Sequence, residues 1–114
     1  MIVQLQGRLI EKNPTDLVID CGGIGYGVKI SLNTFSNLGD DEAVRVYTKL
    51  IVREDAHLLY GFASKEEREM FEHLISVSGI GPNTAMIMLS SMLPDDIAQA
   101  IQNEDVRTIQ SIKG

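Results

Sequence analysis

The sequence predicts an α+β protein in which a five-stranded β-barrel precedes an all-α domain. Residues 1–63 contain short apolar segments of period two, separated by glycine or proline turns. Residues 64–114 place apolar side chains at helical spacing. Ser64 followed by Glu67 is a capping-box pattern, typical of a helix N-terminus. We therefore expect two domains, 1–63 and 64–114.

Five strands are predicted in order in the first half. The first alternates apolar residues with glutamine and arginine, and Asn13-Pro14-Thr15-Asp16 forms a turn after it. The other strand segments are DLVIDC, YGVKISL, AVRVYTKLIVRE and HLLYGF. The polar segment NTFSNLGDDE, between the third and fourth strands, has room for one helical turn. This arrangement is typical of a small closed barrel of the OB type, and an open five-stranded sheet is the alternative.

A glycine-rich segment, GGIGYG at residues 22–27, imitates a phosphate-binding loop. It lies between two predicted strands and no helix follows it. We therefore expect a hairpin turn there.

The second half predicts helices in succession. The helix capped by Ser64 carries an apolar stripe and ends near Gly79, and Pro82 suits the first turn of the next helix. The stripe consists of Met70, Phe71, Leu74 and Ile75, and the buried face of the second helix of Ala85, Met88 and Leu89. The segments PDDIAQAIQ and EDVRTIQSI predict a third and a fourth helix.

Composition excludes several classes of protein. The chain has 114 residues and a net charge of −6, and its single cysteine, Cys21, excludes an intrachain disulfide and a cysteine-based metal cage. No apolar stretch approaches the roughly 20 residues of a membrane span, and no signal peptide is visible. We expect a cytoplasmic protein without a cofactor. The charge alone argues against nucleic acid, because cations supply most of the affinity for phosphates.

A spaced pattern crosses the turn between the first two helices: Leu74-x-x-Val77-x-Gly79-Ile80-Gly81-x-x-x-Ala85-x-x-Met88-Leu89. This matches the helix-hairpin-helix pattern. The glycines permit a tight turn and leave the following helix N-terminus uncovered, which creates an anion site of backbone N–H groups. Such groups hold phosphate without lysine, so the negative charge does not exclude DNA. The candidate DNA-binding residues are Gly79, Ile80, Gly81, Asn83 and Thr84, through their amides. A structural glycine turn is the alternative.

The pattern starts again near the end of the sequence. Ile109-x-x-Ile112-x-Gly114 repeats Leu74-x-x-Val77-x-Gly79. We interpret Lys113 and Gly114 as the start of a second hairpin, and the sequence as a piece of a longer chain. A chance match is the alternative.

Three segments together resemble the RuvA family, the bacterial Holliday-junction-binding subunits of the RuvAB branch-migration machine. They are VREDAHLLYGF, the capped helix after it and SGIGPNTAMIML. The resemblance implies an OB-fold domain, a domain of two hairpins and a third domain, missing here, that contacts the RuvB ATPase. It also implies a homotetramer with fourfold symmetry that binds four-way junction DNA in recombination, DNA repair and the SOS response, without an active site of its own.

Individual residues follow from the same resemblance. Glu54 and Asp55 match the acidic pin of the family, which faces the junction centre, although two solvated acids in a turn are the simpler interpretation. Asn83 stands where relatives often have lysine, so we expect weaker side-chain contacts from the first hairpin.

Two other functions remain open from the residues alone. An OB-fold that binds single-stranded DNA stacks bases on aromatic residues. The first half offers only Tyr26, Phe35, Tyr47, Tyr60 and Phe62, and we expect several of them to fill the barrel. The acidic helices are also compatible with a scaffold that binds protein. No catalytic constellation or Walker-type loop is visible.

Overall fold

The chain forms two compact units, residues 1–68 and residues 69–114, in a computed structural model that describes residues 2–38, 43–92 and 96. The first unit contains five strands and a short helix. In chain order they are β1 (Gln4–Lys12), β2 (Asp16–Cys21), β3 (Ile24–Ile30), α1 (Leu32–Asn37), β4 (Ala43–Val52) and β5 (His57–Phe62). The helical insert lies between the third and fourth strands, as the sequence predicts. The predicted domain boundary after residue 63 stays a prediction.

The five strands close into a barrel in the order β1-β2-β3-β5-β4. Four of the pairings are antiparallel, and β3 pairs in parallel with β5 through Lys29 opposite Tyr60 and Ile30 opposite Gly61. This parallel pair completes the ring between strands that are not consecutive. The closed barrel is confirmed, and the open-sheet alternative is wrong.

Alternate residues of the strands fill the barrel interior. Its buried residues are Leu5, Leu17, Ile19, Val28, Ile30, Val44 and Val46. Gly61 faces the same interior, where a Cβ atom would clash with the Val28 side chain. Since strand side chains alternate between faces, this settles which residues of β5 point outward.

Tyr60 and Phe62 lie on the outer face of β5, because they flank the inward-facing Gly61. Both are fully buried, yet neither belongs to the cluster that fills the barrel. The expectation that aromatic residues fill the barrel is therefore wrong for these two. The apolar content of the HLLYGF segment predicts burial, but it does not distinguish the two faces of a strand that is buried on both.

The GGIGYG segment forms a hairpin, as the sequence predicts. Cys21 pairs with Ile24, so Gly22 and Gly23 make a two-residue turn with φ of +65° and +96°. Two consecutive positive φ angles are required by the turn that matches strand twist, and only glycine adopts them at little cost. The Gly23 N–H donates to the Asp20 carboxylate at 2.7 Å.

The second unit contains the end of one helix and all of another within its described part. Helix α2 spans Lys65–Ser76, with the division between units after Arg68, and α3 spans Pro82–Ser91. Most of the predicted apolar positions are buried: Phe71, Leu74, Ala85, Met88 and Leu89. Apart from residue 96, the third and fourth predicted helices lie outside the described residues. No helix within the described ranges is long and apolar enough to cross a membrane.

A buried carboxylate joins α1 to the first turn of α2 inside the first unit. The Ser64 hydroxyl accepts from the Glu67 N–H at 3.2 Å, which confirms the predicted N-cap. The Glu67 carboxylate, however, accepts from the hydroxyls of Ser31, at 2.7 Å, and Thr34, and from the Asn33 amide at 3.1 Å. Glu67 is only 7% exposed. The carboxylate therefore serves a tertiary contact, which the capping pattern alone does not reveal.

We expect Glu67→Ala to lower the free energy of unfolding by about 2–4 kcal/mol, because it leaves buried hydroxyls without their acceptor. Glu66→Ala is the matched control in the same helical turn, where the glutamate is exposed, and its expected effect is within about 0.5 kcal/mol. Urea denaturation of both variants measures the difference. Equal, small effects would show that the buried network contributes nothing to stability.

Candidate nucleic-acid interface

The turn between α2 and α3 is held by backbone hydrogen bonds between residues three positions apart. Helix α2 ends at Ser76, and the Val77 N–H donates to the Leu74 carbonyl at 3.1 Å. The Ile80 N–H donates to the Val77 carbonyl at 3.1 Å, which closes the loop. Ile80 is 8% exposed, so its side chain is buried while the glycines on either side are exposed. One buried isoleucine thus anchors an otherwise exposed turn.

The two glycines of the turn serve different purposes. Gly79 has φ of +88°, in the left-handed region where a Cβ atom is unfavourable. Gly81 is the N-cap of α3 with φ of −89° and ψ of 172°, which any residue adopts. A Cβ at either position would meet nothing within 4 Å. Gly79 is therefore needed for the backbone path, and the absence of a side chain at Gly81 leaves the helix N-terminus open.

Backbone N–H groups point out of the start of α3. The Ala85 N–H makes the first intrahelical bond, to the Gly81 carbonyl at 3.0 Å, and no side chain in the described part of the chain caps the helix. The structure gives no acceptor for the N–H groups of Gly81 and Thr84 within the described residues. The first turn of α3 carries no acidic residue, so the positive end of the helix dipole is not neutralised there. This arrangement suits an anion.

The other predicted hairpin residues are placed unequally. Asn83 is exposed in the first turn of α3 and carries no charge, whereas Thr84 is half-buried. The Ile80 N–H already donates within the turn, so a phosphate would compete with that bond. Lys113 and Gly114, the predicted start of the second hairpin, lie outside the described residues.

Glu54 and Asp55 occupy the tip of the hairpin between β4 and β5. Val52 and His57 form the last strand pair, and the Arg53 N–H donates to the Ala56 carbonyl at 2.8 Å to close the turn. Both acids are exposed. The turn is where the sequence predicts it, and it places two consecutive exposed acidic residues between β4 and β5.

Arg53 closes the turn through its backbone N–H and also influences the pKa of Tyr60 in the barrel. Burial raises the pKa of the Tyr60 hydroxyl, and the positive charge of Arg53 partly lowers it. Arg53 directly precedes Glu54 and Asp55 in the chain, so the turn sequence contains one cation and two acids.

A group of cations is brought together that the sequence pattern does not predict. Lys65 and Arg68 lie over the ring of Tyr47, and Arg45 precedes that tyrosine by two residues on the same face of β4. The residues are separated by up to 23 positions in the chain, so no local motif connects them. The signals present in the sequence are the alternation of β4 and the helical start at Ser64.

Comparisons with known proteins cover both units. Residues 1–61 match the family described as RuvA N terminal domain, and residues 71–114 match SAM-like Helix-hairpin-helix tandem. Relatives named Holliday junction branch migration complex subunit RuvA include those of Christiangramia forsetii, 62% identical, and Flavobacterium psychrophilum, 57% identical. A relative from Neisseria meningitidis serogroup C with the same name is 52% identical. Each match covers all of this chain and 59% of the relative. The resemblance in the sequence is thereby confirmed.

We expect Gly79→Ala to lower the free energy of unfolding by about 1–2 kcal/mol, because alanine is strained at positive φ. Gly81→Ala, at an ordinary φ two residues away, is the matched control and should cost less than about 1 kcal/mol. Urea denaturation followed by the helical circular dichroism signal compares them. A larger loss at Gly81 would contradict the different purposes assigned to the two glycines.

Proposed function

Because the chain belongs to the RuvA N-terminal domain family, we propose that it binds four-way DNA junctions as the non-catalytic subunit of a branch-migration complex. The observation that carries the proposal is the helix N-terminus behind Gly81, which no side chain of the described residues caps and where a Cβ atom would meet nothing within 4 Å. In this proposal the protein forms a homotetramer, and its partner is a RuvB-type ATPase motor. A third domain of the full-length protein would contact the motor. Action on DNA implies a cytoplasmic location.

The hairpin binds phosphate through its backbone in this proposal. The amides of Gly81 and Thr84 are the first donors, with Gly79, Ile80 and Asn83 completing the contact surface. Each helix N-terminus contributes about 0.3–1 kcal/mol when exposed, so one hairpin binds weakly. A tetramer engages one DNA molecule through several hairpins at once, and linked weak contacts give a high combined affinity. Lys113 and Gly114 would begin the second hairpin of each subunit.

The acidic turn limits which DNA fits the centre of the tetramer. Two carboxylates from each of four subunits, Glu54 and Asp55, would face the phosphates where strands exchange. Two like charges about 4 Å apart repel by about 1 kcal/mol in water and by about 4 kcal/mol at an effective dielectric constant of about 20. The turn therefore adds no affinity. It holds strands apart at the crossover and disfavours continuous duplex across the centre.

Four of the five aromatic residues of the first half do not favour binding of single-stranded DNA. Tyr60 and Phe62 are fully buried, and two cations lie over Tyr47. The Phe35 ring is likewise contacted by Lys12, 4.8 Å from its centroid. Base stacking needs an open aromatic face. A protein-binding scaffold would not require the open amides of α3.

Competition binding with the full-length protein tests the proposal. Labelled four-way junction is challenged with unlabelled junction, duplex of the same arm sequences, or single strand, and light scattering checks the tetramer. We expect the junction to compete best by at least tenfold. Preference for the single strand would overturn the proposal in favour of an OB-type single-strand binder, and absence of DNA binding would favour the scaffold.

Gly81→Val should weaken junction binding, because its methyl groups stand in front of the amides while its backbone angles remain allowed. We expect a loss of about threefold to tenfold. Gly27→Val is the matched control, since Gly27 is an exposed barrel glycine with nothing within 4 Å of its Cβ position. Titration of labelled junction gives both affinities. Unchanged binding by a folded Gly81→Val protein would rule out the amide site.

Glu54→Gln combined with Asp55→Asn should keep or increase the affinity for DNA and reduce the preference for junction over duplex. The matched control is Glu66→Gln with Glu69→Gln, which removes the same charge from exposed positions on α2. The ratio of dissociation constants for junction and duplex is the readout. If the double variant loses affinity for both DNAs while folded and tetrameric, the acids have a structural role instead.

A further inference from the structure

One sector of the barrel surface collects cations. On β1 the inward-facing Leu5 alternates with the outward-facing Gln4 and Gln6. On β4 Arg45 and Tyr47 point outward, and the residues that flank them, Val44, Val46 and Thr48, are buried. Gln6 is paired with Arg45 and Gln4 with Tyr47 across the two strands. The Arg45 guanidinium donates to the Gln6 side-chain oxygen at 3.2 Å. The two glutamine amides and the Arg45 guanidinium thus lie on the outer face of the β1–β4 pair.

The first turn of α2 adds two more cations to this face within the first unit. The Lys65 ammonium and the Arg68 guanidinium each lie 5.7 Å from the centroid of the Tyr47 ring. Arg68 also donates to the Val3 carbonyl at 2.7 Å, which fixes it at the edge of β1. The basic face comprises Arg45, Lys65 and Arg68 near Tyr47, together with Arg8, which lies farther along β1 opposite Ala43.

None of these four cations forms an ion pair within the described part of the chain. Asp20, on β2, is paired with Arg8 on β1, but its carboxylate accepts from the Gly23 N–H. Glu66 and Glu69 are exposed on α2, next in sequence to Lys65 and Arg68. The four cations outnumber these three neighbouring acids, which is a local reversal of sign in a protein of net charge −6. Such a reversal attracts an anionic partner.

We propose that the basic face binds the phosphate backbone of a duplex DNA arm, in addition to the hairpin contacts. Arginine, lysine and glutamine side chains are the usual donors to phosphate oxygens. The Tyr47 ring lies beneath Lys65 and Arg68, so it offers no open surface for base stacking, which favours duplex over single strand. This inference rests on the proposed function and extends its contact surface from the hairpin to the barrel.

The position of the face along β4 agrees with this role. At about 3.4 Å per residue, Tyr47 and Arg45 lie roughly 17 and 24 Å along the strand from Val52, where the acidic turn begins. One strand therefore carries repulsive charge at one end and attractive charge toward the other. That separation exceeds the Debye length of about 8 Å at physiological salt, so the two regions act independently on DNA.

The test measures junction and duplex binding by the full-length protein at salt concentrations between about 50 and 200 mM. The variant is Arg45→Gln with Lys65→Gln, two exposed cations whose removal leaves the Arg68 hydrogen bond in place. Lys29→Gln is the control, because Lys29 is exposed on β3, which is adjacent to neither β1 nor β4. We expect the slope of log K against log salt to fall by about 0.9 for each phosphate that the variant no longer neutralises, with affinity for both DNAs reduced. Lys29→Gln should leave the slope unchanged.

Each outcome separates this inference from the proposed function. If the double variant binds the junction with wild-type affinity and an unchanged salt slope, the proposed role of the basic face is overturned and the proposed function stays intact. Dissociation of the tetramer in the double variant, measured by light scattering, also overturns it and indicates a contact between subunits. Failure of the wild-type protein to prefer junctions would instead overturn the proposed function.

Discussion

The parallel pairing of β3 with β5 is the constraint on which the first unit depends. It closes the barrel, and it brings the ends of two strands to the same edge although α1 and β4 separate them in sequence. The residues that follow each strand then meet: the Thr34 hydroxyl accepts from the Ala63 N–H at 3.3 Å and donates to Glu67. A buried carboxylate with three donors is stable only where backbone closure has already brought those donors together.

The two regions proposed to bind DNA show how an acidic chain is compatible with such a role. The donors of the hairpin belong to the backbone, so they need no lysine, and a bare glycine at the N-cap leaves them uncovered. Ile80 buries the middle of that turn while Gly79 supplies the one left-handed residue that the path requires. On the barrel, filling the interior with valine, leucine and isoleucine directs the intervening residues of β1 and β4, Arg45 among them, outward.

The sequence by itself determined the parts of this protein that depend on local rules. Alternation of period two predicted the five strands, the glycine pair predicted the β2–β3 turn, and the spacing of Gly79, Ile80 and Gly81 predicted the hairpin. Ser64 was identified as a helix cap because its partner lies three residues away. Each of these signals is confined to a few consecutive residues.

Only the tertiary structure decided the contacts that join distant segments. Glu67 belongs to a helical turn in sequence, but its carboxylate binds Ser31 and Thr34 because barrel closure places them beside it. The outward direction of Tyr60 follows from the register of β5. The sequence of β5 does not reveal that register, because the strand is apolar on both faces. The basic face combines two strands and a helix. Such neighbours are set by which strands pair, and pairing is decided by the packing of the whole barrel.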